Sequence, residues 1–165
     1  MPQKKISDYK YLSPILGGLI YMTGDTIAAL IIDQFSWIRL LGIFALGATL
    51  YSFEIPRYFK WIEKVISGYQ GWKKIALKTS MALLYFNPLW IARHLMFVYL
   101  ISGKMEIISW DLLRIGFLSF AVNIPVSILA NYLIQNKISL KYRFFASAIF
   151  SGIMAIYYSM SSVWF

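Results

Sequence analysis

The sequence predicts an all-α protein, a polytopic transmembrane helical bundle of five spans, with four possible. Three observations predict it. Hydrophobic residues make up 59% of the 165 and charged residues 14%, where soluble domains average about 45–50% and about 25%. The apolar residues gather in five blocks near the ~20 residues that carry a helix across a bilayer core. The basic residues fall between those blocks with a strong bias to alternate connections. A soluble domain of this composition would leave large apolar patches in water. In hydrocarbon, backbone polar groups must be satisfied within each segment, so the blocks should be helices.

The first block, residues 11–32, follows the basic start Met1-Pro2-Gln3-Lys4-Lys5. It is long and lacks a small-residue cleavage site, so it reads as a retained span rather than a signal peptide. Gly17, Gly18 and Gly24 suit close helix approach, and Asp25 sits about 4–5 Å outward of the block's centre. The second block, 40–55, is the shortest and would span only by borrowing Ile38 or Tyr58. It carries Gly42 and Gly47 and, at its inner end, Glu54, one helical turn from Arg57, an interface pair by spacing.

Residues 56–79 form the longest connection. Tyr58, Phe59, Trp61, Ile62 and Trp72 alternate with Arg57, Lys60, Lys64, Lys73 and Lys74. Such an amphipathic stretch should lie along the inner interface, its cations on anionic lipid headgroups. The third block, 80–101, holds Pro88, Arg93 and His94. The fourth, 115–134, holds Asn123, Pro125 and Asn131. Pro88 and Pro125 should break or kink their helices, because each removes a backbone hydrogen bond. The fifth, 144–165, carries Ala148 with Gly152 and Ser151 with Ala155, small residues that favour packing within the chain over dimerisation. The whole chain, 1–165, forms one transmembrane domain. Trp37, Trp110, Trp164 and Tyr11 fall near block ends, where aromatic belts form.

Orientation follows from the cations. With the N-terminus inside, twelve Lys and Arg lie in inner segments and three, Arg39, Lys104 and Arg114, in outer ones. That is the positive-inside pattern for five spans with the C-terminus outside. It accounts for the net charge of +9 without nucleic acid, for which no basic helix or motif argues. Cysteine is absent, which excludes disulfides and thiolate chemistry.

Ionised groups at membrane depth need partners. Asp25 and Arg93 lie at matching heights, so they should pair beside a polar core containing His94 and Asn123. That core either fixes helix packing or lines a path for a solute. His94 is the single histidine; it suits a hydrogen bond at a helix interface better than a metal site. No metal, cofactor or catalytic set is expected, and the chain reads as a non-enzyme.

Several of these residues together resemble the Mpv-type family of small peroxisomal and mitochondrial inner-membrane proteins. The resemblance rests on Gly18, Gly24-Asp25, Arg39, Gly47, the run Tyr58-Phe59-Lys60-Trp61-Ile62-Glu63, Lys78, Pro88, Gly103-Lys104, Tyr142-Arg143, and Tyr158 with Ser159. Ala82-Leu83 stands where that family has an aspartate–glutamine pair, and the family is usually drawn with four spans. The resemblance implies a pore-like, solute-permeation role. Met81-Ala82-Leu83 and Phe86-Asn87-Pro88 also resemble bacterial alanine exporters. The sequence therefore points to a channel-like membrane protein of an organelle or bacterial inner membrane, with Asp25, Arg93, His94 and Asn123 as polar lining. An accessory subunit of a larger membrane complex, a homo-oligomer and a small-metabolite exporter are the alternatives.

Overall fold

The protein is all-helical among its described residues, 9–164, in a computed structural model. Lys4 and Lys5 lie outside those residues, as do the side chains of Tyr11, Tyr158, Ser159 and Trp164. The helices are α1 (Tyr9–Ile31), α2 (Trp37–Leu46), α3 (Ser52–Val65), α4 (Gly71–Tyr85), α5 (Pro88–Ile101), α6 (Asp111–Lys137) and α7 (Leu140–Trp164). A π-helical turn, Gly47–Tyr51, joins α2 directly to α3.

The helices outrun the apolar blocks. The second segment is helical from Trp37 to Val65, so Arg39 belongs to the first turn of α2 rather than to a loop. Ser36 sets that start by accepting the N–H of Arg39 at 3.1 Å, as an N-cap does. The stretch 56–79 divides into the second half of α3, a turn, and the first half of α4. Four segments are long and apolar enough to cross a membrane: Pro14–Ile31, Trp37–Val65, Gly71–Ile101 and Asp111–Lys137.

Neighbouring segments run antiparallel. Asp25 meets Arg39 and Gly17 meets Ser52 between the first two. Gly42 meets Ile101 and Glu54 meets Arg93 between the second and third. Asn123 meets Met154 between α6 and α7. The first and last helices run parallel, with Gly17 beside Phe144 and Gly24 beside Gly152. The chain thus makes five passes along one axis.

The surface is inverted relative to a soluble bundle. Leu41, Leu84, Phe117, Val122, Leu129 and Ile153 are exposed, while Asp25, Arg39, Lys78, His94, Asn123, Asn131, Gln135 and Arg143 are buried. Trp37, Trp72 and Trp110 are exposed at helix ends, at the level where indole rings sit in headgroups. Lipid is the solvent this distribution suits.

The two prolines singled out above behave differently. At Pro88 the helix breaks: Asn87 accepts the N–H of Trp90 at 3.0 Å and Pro88 takes the first position of α5, where its missing N–H costs nothing. At Pro125 the expected break does not occur, and α6 is continuous. The difference lies in the nearby amide. Asn87 caps a new helix, whereas Asn123 donates to Ser127 Oγ at 2.9 Å and leaves the backbone without an alternative N-cap.

Candidate functional site

The expected Asp25–Arg93 pair is not formed. Asp25 is held by Arg39 instead, through two bonds of 2.8 and 2.7 Å, both side chains 4% exposed. Height alone matched Asp25 with Arg93; helix azimuth decides otherwise, because Asp25 faces α2 and Arg93 faces α3. The expected Glu54–Arg57 pair is also absent. Glu54 accepts Arg93 Nη1 at 3.1 Å, and Arg57 turns its guanidinium over the Phe53 ring, 3.1 Å from the centroid. A contact between helices outcompetes the one-turn pair because it removes two charges from lipid at once.

The Glu54–Arg93 pair lines a cleft of about 330 Å³ at the α4–α5 break, with Tyr58, Leu84, Tyr85, Asn87, Leu89 and Trp90 as the other walls. The pair is partly open, with side chains 29% and 33% exposed, and the rim residues Leu84 and Leu89 are strongly exposed. Arg93 Nε and Nη2, Glu54 Oε2 and Trp90 Nε1 are buried and lack a hydrogen bond of good geometry, and the Tyr85 side chain lies against both members of the pair. The contrast with Arg39 is chemical: Arg39 spends its Nε/Nη2 edge on both oxygens of Asp25, whereas the same edge of Arg93 is buried beside Tyr85 and meets no carboxylate. This edge is the one that binds carboxylate or phosphate through two parallel bonds.

His94 lies behind the cleft. Its Nδ1 is 2.9 Å from the Tyr51 hydroxyl, and its ring stacks on Trp90 at 5.6 Å and 4°. It is the hydrogen-bonded interface histidine that its isolation implied. Tyr51 sits in the π-helical turn, fully buried. Tyr58, Tyr85, Phe86 and Trp90 continue the aromatic contacts along the cleft, tilted or edge to face.

Asn123 belongs to a different feature. Ser119, Asn123, Ser127, Asn131 and Gln135 are all buried and recur every fourth residue, a polar seam of about 24 Å along α6. Asn123 bonds Ser127 and Met154, Asn131 bonds the Ser127 carbonyl at 2.8 Å, and Tyr157 donates to the Ser119 carbonyl. Both polar atoms of the Gln135 side chain, and the Ser119 hydroxyl, make no hydrogen bond. Of this seam, sequence reasoning found only the two asparagines; the four-residue spacing was the signal for the rest.

Sequence reasoning also missed a third ionic cluster. Glu63 Oε1 receives Lys78 Nζ at 2.6 Å and also Arg143 Nη1, while Arg143 Nε donates to the Ile138 carbonyl at 2.8 Å. Lys78 and Arg143 are each 7% exposed. One carboxylate therefore ties α3, α4 and α7 together at the end of the bundle opposite Asp25. The structure thus separates the four expected lining residues: Arg93 lines the cleft, His94 backs it, Asp25 is sealed in its own pair, and Asn123 joins the seam. Compared with family models, curated proteins and solved structures, the chain matches none.

Proposed function

We propose that the protein lets a small polar solute pass the membrane, with the cleft at the α4–α5 break as its solute site. One observation carries this reading: a partly open Glu54–Arg93 pair, flanked by Tyr85, in a cleft at a helix discontinuity. Charges within a span are costly unless they serve packing or a pathway, and broken helices are where transporters place solute sites. Arg93 suits a carboxylate once its guanidinium turns from Glu54, and Glu54 Oε2 suits an ammonium or hydroxyl. The solute class is therefore a small carboxylate-bearing metabolite. Reconstituted liposomes with a panel of such solutes provide the test. Arg93→Lys keeps the charge and removes the planar fork, so flux should fall at least tenfold with the fold intact. Undiminished flux in Arg93→Lys would sink the reading.

The resemblance to Mpv-type proteins belongs to this proposal. The residues that carry it include Asp25, Arg39, Glu63, Lys78 and Arg143, the members of the other two ionic clusters. On this reading the shared positions set helix packing, and the solute is chosen elsewhere. On this proposal the Glu63 end, rich in Lys and Arg, faces the cytoplasmic or matrix side of a bacterial or organelle inner membrane, as the positive-inside rule favours. The accessory-subunit alternative draws on an apolar groove of about 360 Å³ between α1 and α7, lined by Leu19, Gly24, Ile27, Gly152 and Ile153. A stable stoichiometric complex in mild detergent would favour it.

A further inference from the structure

Two clefts flank Pro56 on α3. One, of about 420 Å³, is lined by Pro14, Ala48, Thr49, Ser52, Phe53, Pro56, Arg57 and Lys60. The other, of about 360 Å³, is lined by Pro56, Phe59, Lys60, Leu140, Lys141 and Phe144. They share Pro56 and Lys60, so a single cation stands between two adjoining troughs, the second of them mainly apolar. Three cations and no carboxylate line the pair. The nearest acid along the helix, Glu63, is engaged by Lys78 and Arg143, and Lys60 has no ion-pair partner among the described residues. Arg57 and Lys141 lie over the rings of Phe53 and Tyr142, with both residues exposed at the surface. The clefts run along α3 to Lys60, one turn before Glu63 of the ionic cluster.

We propose that these paired clefts form a site for one anionic phospholipid. Its phosphate sits at Lys60 between Arg57 and Lys141. One acyl chain runs along Phe53, and the other runs along Phe59 and Phe144. Charge complementarity selects the headgroup, because basic clefts between spans on the inner side attract anionic lipid. The shared wall selects a two-chain lipid, because one headgroup position opens onto both troughs.

The full chain, purified in mild detergent, is titrated with phosphatidylglycerol, with phosphatidylcholine and with glycerol 3-phosphate, and bound lipid is read by native mass spectrometry. Phosphatidylglycerol should be retained and the other two not. Lys60→Gln/Lys141→Gln should weaken retention about thirtyfold, while Lys104→Gln/Arg114→Gln, at the opposite end of the bundle and outside the clefts, should leave it unchanged. Circular dichroism confirms equal helicity in both variants. Equal retention of phosphatidylcholine, equal losses in the two variants, or binding of glycerol 3-phosphate as tight as that of lipid would each overturn the assignment.

Discussion

Arg39 meets Asp25 edge to edge, its Nε and Nη2 each on a separate carboxylate oxygen at 2.8 and 2.7 Å. Arg93 meets Glu54 through Nη1 alone. The first geometry closes a pair and the second leaves it open. That contrast separates a packing device from the proposed solute site within one small bundle.

The closed pair should govern stability. Arg39→Ala leaves a buried carboxylate alone, and removing one partner of a buried pair costs about 3–5 kcal/mol. Asp25→Asn/Arg39→Leu, which removes both charges, should recover much of that loss. Thermal unfolding in detergent measures both; an Arg39→Ala protein that melts with the wild type would refute the buried role.

The parallel α1–α7 contact should respond asymmetrically to added methyl groups. A Cβ on Gly24 would lie 2.5 Å from Gly152 Cα, whereas a Cβ on Gly152 meets nothing nearer than 3.5 Å. Gly24→Ala must therefore push two backbones apart and should cost about 1–3 kcal/mol. Gly152→Ala should be nearly neutral. Equal melting temperatures for the two variants would contradict the packing described.

Glu63 should matter more than either of its cations. Glu63→Gln leaves Lys78 and Arg143 buried side by side without a counter-charge, a loss near 3 kcal/mol or more. Lys78→Gln leaves the Glu63–Arg143 bond in place and should cost less. Urea or thermal unfolding of both variants in the same detergent ranks them, and the reverse order would show that Glu63 does not bridge the pair.

Much of the fold was legible because hydrocarbon leaves little choice. Five apolar blocks, exposed tryptophans at their ends and the need of Asp25 for a cation all followed from the sequence. The partner did not. Composition places Arg39 outside its block, since apolar residues begin in earnest at Leu40, yet the Ser36 cap starts the helix earlier and brings Arg39 inward. Height along the axis can be counted from residue numbers; the direction a side chain faces depends on how helices are rotated against one another. The bridging role of Glu63 escaped notice because it sits among lysines in a stretch that read as surface, whereas Lys78 of α4 and Arg143 of α7 reach it.

The wide turn at Gly47–Tyr51 sets one such rotation. Arg39, Ile43, Gly47, Tyr51, Ile55 and Phe59 are all buried, each four residues after the last. A regular α-helix advances about 100° per residue, so a four-residue repeat drifts about 40° at every step. The looser π winding absorbs part of that drift and keeps one stripe pointed inward along the whole segment. A chain one residue shorter here would dial everything below it through roughly a quarter turn, carrying Glu54 away from Arg93 and Glu63 away from Arg143. Five residues thus act as the vernier that aligns the upper half of the bundle with the lower.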